Sequence, residues 1–466
     1  MTRSRLWLVA LVPVLAIGIV ATQHFALGQT SDPVALRGFH SCGELHEHYV
    51  KLSLQSAQVE EYAEEEAEEE AVADDSDGGF PQSGAAEESV SRDEAESVAA
   101  DEGEVSETGT NVQERGVDES DIIKTDGTYF YILRPQSLLI AEITEEGPLV
   151  EVGRISFREL GHRQELLIGA GKAIVVRQLD AVEATIEIDD DDDLRKPQHP
   201  LIYYREQAEI LEIDISDTTS PRLVRELNLD GRFLSARLVG DDFRVAMQHS
   251  SAIPWISPWA FDTWTRHRDA ERYGEALVAA FRLGHWFPLF GLRDHSENTF
   301  SHGYAVDCGQ TFAPEDRLPT RWGELPSTAF MLSFEIGEDS PGIGEWGSVA
   351  VLGMATDPTV YASRDSLYLA APHNWWRDTV IHRFDISDPL EPSYFGGAII
   401  TGQLLSQWSL SEHNGYLRVA ATDWNKWPTV SSVTVLEAVA DESDEDDSTS
   451  PTGSLQQVGQ VTGLGA

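Results

Sequence analysis

Four carboxylates, Asp118, Glu119, Asp121 and Asp126, fall within one short stretch, RGVDESDIIKTDGTYFYIL, which begins at Arg115. Asp118, Glu119 and Asp121 are oxygen donors of the kind that hard cations take, which makes them a candidate Ca²⁺ site. They lack the alternating ligands, central glycine and closing glutamate of an EF-hand. The competing reading is structural. Asp126 precedes Gly127 in a dipeptide suited to a two-residue hairpin turn, and Asp121 leads into strand-like Ile122 and Ile123. Structural capping is the favoured use, and apart from Ca²⁺ no cofactor is expected.

Three other groups carry chemistry in principle. Asp189 to Asp193 form an acidic run, but neighbouring residues in an extended chain point to opposite sides, so the run builds no cage. His40, Cys42, His46 and His48 are zinc-type donors, and a structural site would need four of them in tetrahedral array. On a helix, Cys42 and His46 share a face and His48 is displaced. The tryptophans are the most suggestive group, because indole planes on loops stack on sugars or apolar side chains. Trp255, Trp259, Trp375 and Trp376 are the candidate ligand-binding residues, against the alternative that they pack between structural units.

Several chemistries have no motif in the chain. There is no Gly-x-Ser-x-Gly elbow, no His-Glu-x-x-His, no glycine-rich phosphate loop and no dinucleotide-binding fingerprint. The formal net charge of -47 argues against a nucleic-acid partner, since phosphate binding needs clustered Lys and Arg.

The frame for these residues begins with an address. Arg3 and Arg5 precede an apolar run from Leu6 to Ala21, and small residues follow at Ala26-Leu27-Gly28. This is the plan of a secretory signal peptide over 1–28, with an uncleaved anchor as the alternative. The apolar run contains Pro13 and is short for a membrane span, so no span is expected after cleavage. An extracytoplasmic location turns Cys42 and Cys308 into a candidate disulfide, the alternative being two unrelated thiols. A short Cys-containing segment (29–58) leads into an acidic linker (59–109). Between Glu60 and Thr110 there are 20 acidic residues and one basic residue, Arg92, a composition that predicts disorder.

From about residue 110 the chain repeats itself. Five stretches place a tight turn before alternating apolar residues: KTDGTYFYIL at Lys124, IGAGKAIVVR at Ile168, VGDDFRVAMQ at Val239, ASRDSLYLAA at Ala362 and SEHNGYLRVA at Ser411. Each is followed by a second hairpin. The clearest are AEILEIDISDTTSPRLVREL from Ala208 and TVIHRFDISDPLEPSYFGGAI from Thr379, where Asp214 and Asp385 can cap turns that a proline stiffens. Two hairpins make a four-stranded antiparallel sheet. About five such units in series predict an all-β chain, a β-propeller over 110–466, with a sandwich as runner-up. The least repetitive region, about 249–326, is an insertion, and DAERYGEALVAAFRLG from Asp269 predicts a helix within it.

These residues resemble a family of secreted bacterial and archaeal proteins with a C-terminal β-propeller distantly related to WD-repeat propellers. The likeness rests on FHSCGELHEHYVKL from Phe39, TNVQERGVDESDIIKTDGTYFYIL from Thr110, VDCGQTFAP, VYASRDSLYLAAP and TGQLLSQWSLSEHNGYLRVAATDW. It implies the fold, export and a binding role, and it carries over no catalytic residue. The family continues past the equivalent of VTGLGA at Val461, whereas this chain stops at Ala466. A truncated copy and a ring of fewer blades are the two expectations.

Two functions follow. The first is an exported, non-catalytic propeller that binds a protein or a cell-surface polymer through its loops. The second is an extracytoplasmic enzyme, a hydrolase or metal-dependent, with its site at the central channel. Titratable residues on the inner strands of several blades would favour the enzyme. The inner strands read as Val, Ile, Ala, Leu and Tyr, which favours the scaffold.

Overall fold

The computed structural model describes residues 34, 36–52, 113–144, 147–186, 201–250, 281–314, 327–337, 340–355, 357–374, 376–440 and 450–464. After β1 (Leu36–Gly38), a helix α1 over 42–52 and the two-residue β2 (Asp118–Glu119), the repeats follow one another as sheets. Blade 1 is β3 (Ile123–Thr125), β4 (Tyr129–Arg134), β5 (Ser137–Glu142) and β6 (Val150–Ser156). Blade 2 is β7 (Gln164–Gly169), β8 (Lys172–Ile186), β9 (Leu201–Asp214) and β10 (Arg222–Asp230). Blade 3 opens with β11 (Arg232–Val239) and β12 (Asp242–Ser250). The insertion then supplies β13 (Leu289–Asp294), β14 (Thr299–Tyr304) and β15 (Thr311–Pro314). Blade 3 resumes with β16 (Ser327–Glu335) and β17 (Gly347–Met354). Blade 4 is β18 (Thr359–Ala362), β19 (Ser366–His373), β20 (Asp378–Asp385) and β21 (Ser393–Thr401). Blade 5 is β22 (Leu410–His413), β23 (Tyr416–Asp423), β24 (Val430–Ala440) and β25 (Gly453–Leu464).

Each blade pairs its strands in chain order and antiparallel, so the five repeated hairpins and the five that follow them are all present. The first turns form as their residues allow. Asn414 and Gly415 both take positive φ, as do Ala170 and Gly171, which matches the twist of the flanking strands. At the second turns the Asp214 carboxylate accepts the Ser216 amide at 3.0 Å, and Asp385 accepts the Ser387 amide at 3.0 Å.

The core lies between blades, in four apolar clusters. Leu138 and Ile140 of blade 1 meet Leu166, Val175 and Leu211 of blade 2. The opposite face of blade 2 (Leu167, Ile174, Ile210) meets Phe243, Val245 and Phe334 of blade 3. Met331 and Val349 on the far side of blade 3 meet Leu367, Leu369 and Phe384 of blade 4. Tyr361, Tyr368 and Ile381 of blade 4 meet Leu417, Val419 and Leu436 of blade 5. A sheet sandwiched on both faces reads as nearly continuous apolar sequence, as in FRVAM of β12, where every residue is buried. In β23 only one face is covered, and Leu417, Val419 and Ala421 alternate with exposed Tyr416, Arg418 and Ala420.

The outer strands approach the next blade closely at glycine. A Cβ on Gly153 of β6 would overlap the Thr218 carbonyl, in the turn that caps blade 2. At Gly347 of β17 it would overlap Leu390 and Pro392, in the corresponding turn of blade 4. The repeated Asp-Ile-Ser-Asp turn is therefore also the part of a blade that seats against its predecessor. Gly347→Ala should destabilise the fold by about 2 kcal/mol, read as a lowered midpoint in urea with an unchanged slope.

The insertion thickens two blades. β13 pairs with β10 and carries β14, extending blade 2, and β15 lies parallel to β17 at the edge of blade 3. The helix expected from Asp269 falls at 269–280 outside the described residues. Its expected end does not form: Arg282 is extended and Leu283–His285 is a single 3-10 turn. β1 completes the edge by pairing with β15, and α1 packs Leu45, Tyr49 and Leu52 into the cluster between blades 2 and 3. Cys42 and Cys308 are disulfide-bonded across 266 residues, and no described cysteine is free. Closing so long a loop stabilises by roughly 5 to 6 kcal/mol in the chain-entropy model. The Cys42→Ser/Cys308→Ser variant should lose about that much in chemical denaturation, and reductant should have no further effect on it.

Candidate functional site: a filled channel and an aromatic end

Residues 113–122 run along the inner edge of the blades, touching the first strand of blades 5, 4, 3 and 2 before entering blade 1. The Gln113 side chain donates to the carbonyls of Gln407 and Leu410, both at 2.9 Å, at the start of blade 5. The Tyr361 hydroxyl of blade 4 donates to Glu114 at 2.5 Å and accepts the Glu412 amide of blade 5 at 2.6 Å. Asp118 and Glu119 pair as β2 with Leu238 and Arg237 of blade 3. Asp121 exchanges backbone hydrogen bonds with Leu166 of blade 2 at 3.2 and 2.7 Å. β3 then begins at Ile123, and the segment acts as a strap.

The inner edge it crosses, hereafter the channel, is charged, which corrects the expectation of apolar inner strands. β3, β7, β11 and β22 carry Lys124, Glu165, Arg237 and Glu412. In β3 and β22, of three and four residues, one charge reads as solvent-facing, and in the longer β7 and β11 a charge set among apolar residues reads the same way. Lys124, Glu165 and Arg237 are met mainly by the strap, whereas the Glu412 carboxylate accepts the Ser363 and Tyr368 hydroxyls of blade 4 at 2.9 and 2.8 Å. The Lys124 ammonium, fully buried, donates to Asp118 at 2.7 Å and to the Glu119 carbonyl. Arg237 lies 3.6 Å from Glu119, and the Ser120 hydroxyl donates to Glu165. Burial pushes the Asp118 and Glu165 carboxyls up despite these partners, and burial pulls Arg237 down against its neighbouring carboxylates. Asp118, Glu119 and Asp121 do not converge as a cage. Asp118 faces Lys124, Glu119 faces Arg237, and Asp121 accepts the amide of Ile122 at 2.6 Å. Among the described residues no three His, Cys, Asp or Glu side chains are grouped to hold a metal ion. The His40 cluster is dispersed too: Cys42 is in the disulfide and His46 bonds the Phe281 carbonyl at 2.9 Å.

Lys124→Met would leave Asp118 buried without its counter-charge, at a cost of about 3 kcal/mol at neutral pH. The sign of its pH dependence follows from the carboxyl. Without Lys124 the folded-state pKa rises further above the unfolded value, so the penalty is present above the folded pKa and disappears as protonation becomes complete. The stability gap to wild type, measured by urea titration, should therefore narrow as pH falls from neutral towards about 4.

The second feature lies at one end of blades 4 and 5. Three loops meet there: the β19–β20 turn, the β21–β22 connection and the β23–β24 turn. Gly402 and Gln403 tie them together. The Gly402 amide donates to the Arg377 carbonyl at 2.8 Å, and its carbonyl accepts the Thr379 hydroxyl at 2.6 Å. Gln403 exchanges backbone bonds with Thr422 at 2.9 and 3.0 Å, and its side chain donates to the Asp378 carbonyl. From this frame project Trp376, Trp408, Trp424 and Trp427, exposed by 69, 58, 58 and 96 %. Trp286, by contrast, is wholly buried, and Trp346 is half-buried with its indole N–H on the Ala305 carbonyl at 3.1 Å. All the exposed tryptophans among the described residues thus share one end. Trp376 sits at φ 61°, a left-handed conformation that costs a bulky residue roughly 1 kcal/mol, and its side chain recovers little by burial.

Of the ligand-binding residues expected from sequence, Trp376 belongs to this end. Trp255, Trp259 and Trp375 lie outside the described residues. Trp408 was not singled out, and its only signal was its place in a connection between repeats.

Five consecutive blades, each built on four antiparallel strands and two of them widened by the insertion, define a β-propeller. The chain belongs to the beta propeller domain family, whose model matches residues 107–466. Similar solved structures include a functionally unknown protein from Desulfotomaculum acetoxidans, at 10% identity and TM-score 0.24, covering 72% of this chain and 80% of that one. A cobalt-substituted Synechocystis ACO aligns at 11% identity and TM-score 0.22, covering 60% and 63%. A hypothetical selenium-binding protein from Sulfolobus tokodaii aligns at 10% and TM-score 0.17, covering 71% and 88%. A search of curated proteins returns no match.

Proposed function

We propose that this chain is an exported, non-catalytic binding or scaffold protein that holds its ligand at the aromatic end of blades 4 and 5. The observation that carries the reading is the gathering of Trp376, Trp408, Trp424 and Trp427 there. Large exposed aromatics on a rigid frame are what interfaces use, because they offer contact area at small entropic cost. Titratable inner-strand residues count towards the enzyme alternative, but here Lys124, Glu165 and Arg237 are engaged by the strap and Glu412 by the hydroxyls of Ser363 and Tyr368, which favours a structural use of these charges. Export is supported by the Arg3/Arg5-led apolar segment and by a disulfide, which persists in oxidising compartments. Among the described residues no helix is long and apolar enough to cross a membrane. The ligand on this reading is a protein or a polymer of the cell surface.

The test is retention on envelope preparations of the producing cell. Trp408→Ala/Trp427→Ala should unfold at the wild-type temperature, because neither side chain is buried, yet be retained at least about tenfold less. Equal retention of variant and wild type would refute the aromatic end as the binding site.

A further inference from the structure

We infer that the aromatic end of blades 4 and 5 is a glycan platform, taking an uncharged stretch of polysaccharide; this rests on the binding reading above. The exposed tryptophans lie on three loops and are interleaved with polar residues, with Leu405 the exposed aliphatic side chain among them. A pyranose ring suits such planes: its C–H face lies on the indole, while its hydroxyls turn outward to side-chain amides and carboxylates. Those partners are in place. Asn425 is exposed beside Trp424 and Trp427, and Asn374, exposed two residues before Trp376, donates to Asp378 at 3.0 Å.

The local charge points the same way. In a chain of net charge -47, this end is close to balanced. The Lys426 ammonium lies 3.1 Å from Asp423, and Arg377 adjoins Asp378 in sequence. Anionic lipid or nucleic acid would call for a cluster of cations, and a cationic partner for a cluster of carboxylates. Neither is present among the described residues of this end. The backbone of Trp376 adds an independent sign. A tryptophan kept at positive φ with its ring exposed is being aimed, because the strain gains little packing for the fold.

The experiment uses the full mature protein and the Trp408→Ala/Trp427→Ala variant on three envelope preparations: untreated, periodate-oxidised to open vicinal diols, and protease-digested. Vesicles of phosphatidylcholine with phosphatidylglycerol serve as a lipid probe. The inference expects wild-type retention to fall at least about tenfold after periodate, to survive protease, and to change little between low and high salt. The variant should be retained weakly on every preparation, and the vesicles should not compete. Loss after protease with retention after periodate would overturn the glycan and leave the binding reading standing with a protein ligand. Binding to the vesicles at the strength of the untreated envelope would overturn the glycan in favour of lipid. Undiminished retention of the variant would overturn both readings together.

Discussion

The pairing of Lys124 with Asp118 is the contact on which the centre of the molecule turns. A propeller brings the first strands of its blades together, and here those strands bring Lys124, Glu165, Arg237 and Glu412. None could remain buried uncompensated, since each desolvated charge costs several kcal/mol. The strap resolves the conflict by carrying Asp118 and Glu119 between them, so that the cations are met inside the channel. Buried ion pairs are poor sources of net stability, but a buried charge that loses its partner is strongly destabilising. A strap displaced by one residue would leave Asp118 off Lys124 and Glu119 off Arg237 together. The acidic motif therefore sets register, and the register of the strap fixes where blade 1 begins.

Much of the fold was legible because its signals are local. Turn dipeptides, period-two alternation and the Asp-Ile-Ser-Asp turns all act within about twenty residues, and each hairpin forms where its own residues specify. The disulfide was legible for another reason: a chain with two cysteines offers a single pairing. The strap was not legible. Gln113 meets Leu410, Glu114 meets Tyr361 and Glu119 meets Arg237, and no pattern near Arg115 encodes partners more than a hundred residues away. The inner-strand charges were missed for a related reason. β3 and β22 are three and four residues long, too short for alternation to separate an inward charge from a solvent-facing one, and in β7 and β11 Glu165 and Arg237 read as the exposed side of a strand.

The tryptophans show the same limit at the candidate site. Composition offers a dozen, and their identity does not say which are structural. Trp286 stacks on Tyr49 of α1 with ring centroids 5.8 Å apart, so its role depends on a helix more than two hundred residues earlier. Trp408 lies in a stretch that looks like any connection between repeats. Exposure is a property of the assembled blades, and only the meeting of three loops at Gly402 and Gln403 places four indoles together.

Channel and aromatic end are also joined mechanically. Gln113 of the strap holds the carbonyls at both ends of the short segment from Gln407 to Leu410, and Arg237 reaches the Gln407 side-chain oxygen at 3.1 Å. That segment carries Trp408. The strap that neutralises the channel thus also clamps one of the loops that display indole. A platform fixed in this way gives up less conformational freedom when a ligand settles on it, so affinity can come from few contacts. Rigidity at that end is therefore set from the channel, through Gln113 and Arg237, as well as by packing between blades 4 and 5.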